Sequence, residues 1–141
     1  MVDIDSLREF DLLEGLPDQS LSTLANIGGI SEWREGEALF ARGNPAKSLH
    51  ILLSGSILLC YANGRSLPIR HRGGTVGWSS LHTPYIHTAD AVCLTEAMTI
   101  HFPATELFGL IQLDAEFGNH IIAKISELRQ HTKAYWSAER I

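Results

Sequence analysis

The chain has 141 residues, the length of one domain that is large enough to bury its own hydrophobic core. Apolar residues make up 45% of it and charged residues 19%, so a disordered chain is excluded. The formal net charge of -5 argues against nucleic-acid binding through phosphate neutralisation, and no run approaches the ~20 apolar residues of a membrane span.

Residues 1–29 are predicted to form N-terminal helices. The start is acidic and lacks the apolar stretch of a signal peptide, so we expect a cytoplasmic protein. We expect a short helical turn over Ser6–Phe10, capped by Asp5 or by Ser6. A second helix is predicted to begin near Pro17 and to end at Gly28-Gly29, since proline favours the first helical position and glycine ends helices. Its buried face consists of Leu21, Leu24 and Ala25.

Residues 30–102 are predicted to form a β-barrel. Short apolar runs alternate there with turn signals at regular spacing, which is typical of an all-β sandwich or barrel. Asn63-Gly64 is the strongest turn signal, because both residues tolerate positive φ. We expect it to join a hairpin whose arms are Ile57–Tyr61 and Leu67–Arg70.

Residues 103–141 are predicted to form a pair of C-terminal helices. One helix is expected to begin at Pro103 and a longer one at Asp114 or Ala115. The longer helix carries a heptad stripe of Ile121, Ile125, Leu128 and Tyr135. This stripe packs either on the chain's own barrel or on a second copy of the chain, and we favour a homodimer. No helix-turn-helix follows the longer helix in this sequence, so we expect no DNA binding by this chain alone.

The segment Gly73–Ala89, GGTVGWSSLHTPYIHTA, combines glycines with hydroxyls and a histidine. Glycines bring backbone N–H groups close to an anion, and the neighbouring polar side chains add hydrogen bonds. An anion at this place is expected to raise the pKa of His87 and so to recruit a positive charge. The predicted ligand-binding residues are Gly77, Trp78, Ser79, Ser80, His87 and Thr88.

Residues 32–59, EWREGEALFARGNPAKSLHILLSGSILL, resemble the glycine and apolar pattern of the cyclic nucleotide-binding domain. This family supplies the sensor module of catabolite-activator-type transcription factors, kinase regulatory subunits and some channels. Five glycines fall where the family pattern has glycines, namely Gly36, Gly43, Gly55, Gly74 and Gly77. The resemblance implies a mainly β fold with flanking helices: a double-stranded jelly-roll β-barrel with N-terminal helices, a C-terminal helix pair and a ligand inside the barrel.

The resemblance also implies a phosphate-binding cassette that begins with Gly-Glu and ends with Arg-Ser or Arg-Ala. In the family the Glu takes the ribose 2′-hydroxyl and the Arg pairs with the cyclic phosphate. This chain keeps Gly77, but Trp78 stands at the Glu position and His87-Thr88 at the Arg-Ser position. Tryptophan offers no hydrogen-bond acceptor, and histidine lacks the charged planar fork that grips a phosphate. Losing two charge-assisted hydrogen bonds of about 1.5–3 kcal/mol each weakens nucleotide binding by roughly several hundred-fold or more.

We therefore expect a regulatory domain that senses a small ligand. Its ligand is a cyclic nucleotide bound weakly or in an altered way, or another small anion. The alternative is a ligand-free structural or dimerisation module on the same fold, in which Trp78 fills the pocket. No catalytic set is visible, so we expect no enzyme.

The spacing of histidines and cysteines predicts no metal site. None of the seven histidines pairs at the i, i+4 spacing of helical metal ligands, and there is no Cys-x-x-Cys motif. His50 and His101 are interpreted as ordinary barrel residues. Cys60 and Cys93 are expected to be buried free thiols, and haem ligation by Cys60 or His82 stays open.

Overall fold

The computed structural model describes residues 2–137. Its first part contains α1 (Ile4–Arg8), a 3-10 turn (Asp11–Leu13) and α2 (Asp18–Ile27). The strands that follow are β1 (Gly29–Trp33), β2 (Ala38–Phe40), β3 (Ser48–Ser54), β4 (Ile57–Tyr61), β5 (Ser66–Ile69), β6 (Thr75–Val76), β7 (Ala89–Cys93) and β8 (Ala97–Pro103). The last helices are α3 (Ala104–Leu113), α4 (Ala115–His131) and α5 (Lys133–Trp136). Between residues 2 and 137, no helix has both the length and the apolar character needed to cross a bilayer.

The two N-terminal helices are present, but the first spans Ile4–Arg8 instead of the predicted Ser6–Phe10. Helix α1 begins at Ile4 because Asp3, rather than Asp5 or Ser6, caps it, and the Asp3 carboxylate accepts a hydrogen bond from the Asp5 N–H at 3.3 Å. Helix α2 begins directly after Pro17 and its C-cap is the first glycine of the predicted stop. The predicted face is confirmed, since the buried residues of α2 include Leu21, Leu24 and Ala25.

Residues 2–137 form two four-stranded antiparallel sheets, with strand orders β1-β8-β3-β6 and β2-β7-β4-β5. Together they make the jelly-roll barrel, which confirms the predicted fold class. The predicted hairpin is present, with Ile57 opposite Ile69. Of its two turn residues only Gly64 takes a positive φ, 84°, and its N–H donates to the Tyr61 carbonyl at 3.0 Å. Asn63 therefore supports the turn without entering the left-handed region.

Two hydrophobic clusters hold the layers together. Along β3, Leu49 and Ile51 face the helices whereas His50 and Leu52 face the barrel interior, because successive side chains of a strand point to opposite faces. The helix–sheet core joins the outer face of this sheet to α2, α3 and α4, and includes Leu24, Leu107 and Phe117. The barrel core lies between the two sheets and includes Leu52, Ile57, Leu59, Val76, Ala91 and Cys93.

The apolar stripe of the C-terminal helix packs inside the chain. Ile121 and Ile125 are 1% and 4% exposed and belong to the helix–sheet core, and Leu128 packs partly buried against it. The helix is interrupted at Thr132, so Tyr135 lies on α5 and packs against the barrel core. The predicted dimer interface through these residues is therefore wrong, because the chain's own core already buries the two isoleucines. The homodimer itself stays a prediction.

The two cysteines lie on the paired strands β4 and β7 and are free thiols, as predicted. Cys93 faces the barrel core and is 1% exposed. Cys60 is only half-buried, so the prediction that it is buried is wrong. It alternates with the inward-facing Leu59 and Tyr61 of the same strand and therefore lies on the outer face of the barrel.

Candidate ligand-binding site

The cassette segment, Gly73–Ala89, contains a turn that requires glycine. Strand β6 is followed by Gly77, whose φ is 79°, and then by a 3-10 turn over Trp78–Leu81. A Cβ atom on Gly77 would lie 2.6 Å from the carbonyl oxygen of Ser48. Both the left-handed backbone and this close approach exclude a side chain. The cassette segment thus passes through one short helical turn directly after Gly77.

The far end of the cassette segment is fixed by backbone hydrogen bonds to the loop after β2. The His87 N–H donates to the Asn44 carbonyl at 3.0 Å, and the Gly43 N–H donates to the His87 carbonyl at 2.9 Å. One step further, the Ala46 N–H donates to the Tyr85 carbonyl at 2.8 Å. These bonds set the position of His87 relative to β2, so the glycine-containing loop of the family pattern also positions the cassette.

The His87 ring lies against an aromatic side chain instead of standing free for an anion. It stacks on Phe40 with ring centroids 3.7 Å apart and planes 5° from parallel. His87 is 5% exposed, and burial lowers the pKa of its imidazole from 6.5 to about 4. In this arrangement the imidazole is neutral at neutral pH. It therefore does not supply the positive charge that the sequence analysis expects near an anion.

Trp78 is directed toward the C-terminal helices. It is 7% exposed and belongs to the helix–sheet core. The Arg129 guanidinium of α4 lies 5.9 Å from the centroid of the Trp78 ring and 4.7 Å from that of Trp136. The Trp136 indole N–H in turn donates to the Arg129 carbonyl at 3.0 Å. The side chain at the family's Glu position thus connects the cassette to α4 and α5.

The hydroxyls predicted to bind an anion do not converge on one open place. Ser80 is completely buried, and its Oγ has no hydrogen-bond partner among residues 2–137. Ser79 is 8% exposed, whereas Thr88 lies exposed on the surface. Of the six predicted ligand-binding residues, Gly77, Trp78, Ser79, His87 and Thr88 line one small cavity.

That cavity is almost filled by side chains. Its volume is about 10 Å³, and Phe40, Leu59, Tyr61 and Ala89 complete its lining. A space of this size holds a single water molecule, whereas pockets for small organic ligands measure about 300–1,000 Å³. A cyclic nucleotide therefore requires a rearrangement of the cassette before it can enter.

Helix α5 lies against the β4–β5 hairpin next to this cavity. The Asn63 side-chain amide donates to the Tyr135 carbonyl at 3.0 Å, and Arg65 donates from Nη1 to the carbonyl of Ala134. Tyr135 and Trp136 pack partly buried against the barrel core. The C-terminal turn is consequently seated on the barrel in this structure.

A second and larger cavity lies on the other side of the Phe40–His87 stack. Its volume is about 480 Å³, and its lining includes His50, His101 and Trp33. Sequence reasoning missed these residues as candidates and treated both histidines as ordinary barrel positions. The available signal was strand alternation, because His50 follows the buried Leu49 on β3 and so faces the opposite side of the sheet.

The sequence of residues 30–114 matches the family model described as the cyclic nucleotide-binding domain. This match spans more than half of the 141 residues. The chain belongs to this family. No curated protein matches the sequence of this cyclic nucleotide-binding domain.

Solved structures of the same fold resemble the domain over nearly its whole length. A Geobacter metallireducens protein described as cyclic nucleotide-binding is 22% identical, with 90% of this chain and 95% of that chain covered and a TM-score of 0.83. The sensor domain of the transcriptional regulator DNR from Pseudomonas aeruginosa is 18% identical, with 98% and 100% covered and a TM-score of 0.74. The regulatory subunit of a cAMP-independent protein kinase A from Trypanosoma brucei is 20% identical, with 92% and 44% covered and a TM-score of 0.73. At these identities the likeness establishes the fold of the domain.

Proposed function

We propose that this domain is a cytoplasmic, non-enzymatic regulatory module that senses a small anionic ligand and binds ordinary cyclic nucleotides only weakly. One observation carries the weak nucleotide binding: the side chains at the two decisive cassette positions contact other parts of the domain. His87 is neutral and stacked on Phe40, and Trp78 is packed toward α4. Neither side chain is available for the ribose or phosphate contact that the family resemblance implies.

The loss of nucleotide affinity has two parts. A charge-assisted hydrogen bond contributes about 1.5–3 kcal/mol, so the absence of two such bonds lowers nucleotide affinity by roughly several hundred-fold or more. The cavity of about 10 Å³ adds the free energy of opening the cassette, which binding must also supply. Both parts act in the same direction, toward weak nucleotide binding.

A route for a regulatory signal runs from the cassette to the C-terminal turn. Arg129 lies between the Trp78 and Trp136 rings, and Trp136 follows the residues of α5 that bond to the β4–β5 hairpin. A ligand that moves the cassette turn displaces Trp78, and with it the Arg129 contact that holds Trp136. We infer that release or reseating of α5 is the output of this domain.

The comparison with the Trypanosoma brucei protein supports a role without ordinary nucleotide control. That protein is the regulatory subunit of a kinase described as cAMP-independent, and this chain shares its fold at a TM-score of 0.73. A domain of this fold can therefore belong to a regulatory protein that is not governed by cAMP.

A second candidate function is a ligand-free structural or dimerisation module. The nearly filled cassette cavity favours it, because packed side chains stabilise the barrel without a ligand. If such a module forms a homodimer, its interface cannot contain Ile121 and Ile125, because both lie in the helix–sheet core. Two exposed apolar side chains, Leu113 at the end of α3 and Ile122 on α4, are the alternatives, with 90% and 58% exposure.

Titration with cAMP, cGMP, 5′-AMP and inorganic phosphate separates the two candidates. Tryptophan fluorescence and thermal unfolding are followed up to about 10 mM ligand, so that dissociation constants up to about 10 mM, or binding of about 2.7 kcal/mol, are detected. A sensor gives a saturable fluorescence change from Trp78 and Trp136 together with a raised melting temperature. Arg129→Met, which removes the cation that contacts both rings, should reduce the fluorescence change while retaining the thermal shift. No response to any of the four probes excludes the anion-sensing proposal and leaves the structural module.

A further inference from the structure

The larger cavity, which we call the histidine cavity, is an open-mouthed space between the two sheets. It measures about 480 Å³, within the range of pockets that bind small organic molecules. Strands β1, β2, β3 and β8 line it, together with the loop that precedes β3. Phe40 and His87 line both this cavity and the small cassette cavity, so their stacked rings separate the two spaces.

A hydrogen-bond chain inside the barrel fixes the orientation of His50. The Trp33 indole N–H donates to Thr99 Oγ1 at 3.0 Å. The Thr99 hydroxyl can therefore donate its own proton to His50 Nδ1, which lies 3.4 Å from Oγ1. With Nδ1 as acceptor, the neutral imidazole carries its proton on Nε2. His50 is 8% exposed, and its Nε2 has no hydrogen-bond partner among residues 2–137. His50 lines the cavity, so in this tautomer its Nε2–H is the donor that a ligand there could use.

The other two histidines of the cavity are also only partly satisfied. His101 Nδ1 lies 2.7 Å from Ser31 Oγ, which leaves its second nitrogen for a ligand. The His87 ring, 5% exposed, stacks on Phe40 and has no hydrogen bond from any residue between 2 and 137. These imidazole nitrogens have no partner within residues 2–137 and belong to side chains that line a roomy cavity, so they are free to bond to a polar ligand.

The chemistry of the lining selects the class of that ligand. No group of three His, Cys, Asp or Glu side chains within residues 2–137 is arranged to hold a metal ion. The cavity lining described for this part of the chain contains no carboxylate, and Lys47, exposed at the mouth, forms no salt bridge there. Donors and one positive charge thus surround a space whose walls include the aromatic rings of Trp33 and Phe40.

We propose that the histidine cavity is a second binding site, distinct from the nucleotide cassette, that takes a small aromatic carboxylate. The ring lies between Trp33 and Phe40, and the carboxylate accepts hydrogen bonds from Lys47 at the mouth and from the His50 Nε2–H deeper inside. Such a ligand contacts the Phe40–His87 stack from the side opposite the cassette. The proposal does not depend on nucleotide sensing, because it requires only the residues of this cavity.

Calorimetric titration with benzoate, benzamide and inorganic phosphate tests the proposal. Benzoate should bind saturably, and benzamide, which has the same ring without the negative charge, about tenfold more weakly, since a charge-assisted hydrogen bond is replaced by a neutral one. Lys47→Gln should weaken benzoate binding several-fold and leave benzamide binding unchanged. Lys124→Gln, a lysine substitution on α4 outside the cavity lining, is the matched control and should leave both affinities unchanged.

Histidine ring resonances in an NMR titration locate the site. Benzoate should shift the ring signals of His50 and His101 and leave those of the exposed His71 in place. Three results overturn the proposal: no benzoate binding up to about 10 mM, equal affinity for benzoate and inorganic phosphate, or binding that leaves the His50 signals unmoved. An affinity that is the same in Lys47→Gln and wild type overturns the assignment of the carboxylate to the mouth.

Discussion

Two histidines inside the barrel make the stability of this domain fall as the pH is lowered. Burial, followed by the charges of His101 and His87, lowers the pKa of His50 to about 4, and burial does the same for His87. In the unfolded chain both imidazoles take up a proton as the pH falls below about 6.5. In the folded domain both stay neutral until about pH 4. The unfolded state therefore binds more protons between these pH values, and acid favours unfolding.

The size of the effect follows from the His50 pKa of about 4 against the ordinary value of 6.5. This contribution to stability is complete above the unfolded pKa and is lost as the pH falls toward the folded pKa. At about pH 5 the loss for one such imidazole is about 2 kcal/mol, and it approaches about 3 kcal/mol near pH 4. Because small domains are stable by only about 5–15 kcal/mol, the loss from His50 alone is easily measured.

Urea unfolding of the wild type and of His50→Gln at about pH 8 and pH 5 is the assay. Glutamine keeps a polar group at this place but does not titrate, so the wild type should lose about 2 kcal/mol more free energy of unfolding than the variant. Ile57→Val is the control, because it alters the packing of the barrel core away from the histidine cavity and keeps every imidazole. It should show the pH dependence of the wild type. Equal pH dependence in the wild type and in His50→Gln refutes the reasoning.

Two further predictions concern the free energy of unfolding, measured in urea. Gly77→Ala should lower the free energy of unfolding by about 3 kcal/mol, because left-handed backbone strain adds to a Cβ clash 2.6 Å from the Ser48 carbonyl oxygen. Gly36→Ala introduces the backbone strain alone and should lower it by about 1 kcal/mol. Equal losses in the two variants would contradict the close approach at Gly77. Asp114→Ala should cost about 2 kcal/mol, because its carboxylate caps α4 at the Phe117 N–H and accepts from the Ser20 hydroxyl at 2.7 Å. Ser20→Ala removes only the second bond, and a loss as large as that of Asp114→Ala would contradict the cap.

The fold was predictable because local signals agree with one another along the chain. The hairpin at Asn63-Gly64, the helix starts after Pro17 and Pro103, and the glycine-containing turns all describe short-range geometry, which a sequence encodes directly. The break at Thr132 was not predictable, because the heptad pattern continues through it. There Thr132 Oγ1 accepts from the Trp136 indole at 3.2 Å and itself donates to the Leu128 carbonyl at 2.9 Å.

The candidate site was only half predictable. The sequence identifies the cassette segment and the two altered positions, because both follow from spacing. The direction of the Trp78 side chain depends on Arg129 of α4, which lies 51 positions later in the chain, and no local signal encodes that contact. The histidine cavity likewise arises from β1, β3 and β8, which come together only when the sheets form. Long-range pairing of this kind is the part that periodicity does not determine.

The affinity of cAMP for the wild type and for His87→Arg tests the central claim most directly. Arginine restores the charged fork at the cassette position where the family has it, so cAMP should bind about tenfold or more tightly to His87→Arg than to the wild type. His82→Arg, a half-buried histidine just after the 3-10 turn, is the matched control and should bind cAMP as the wild type does. The account predicts wild-type binding no tighter than about 100 µM and a clear gain in His87→Arg. A wild-type dissociation constant of about 1 µM or below, or equal affinities in a folded His87→Arg and the wild type, would contradict it.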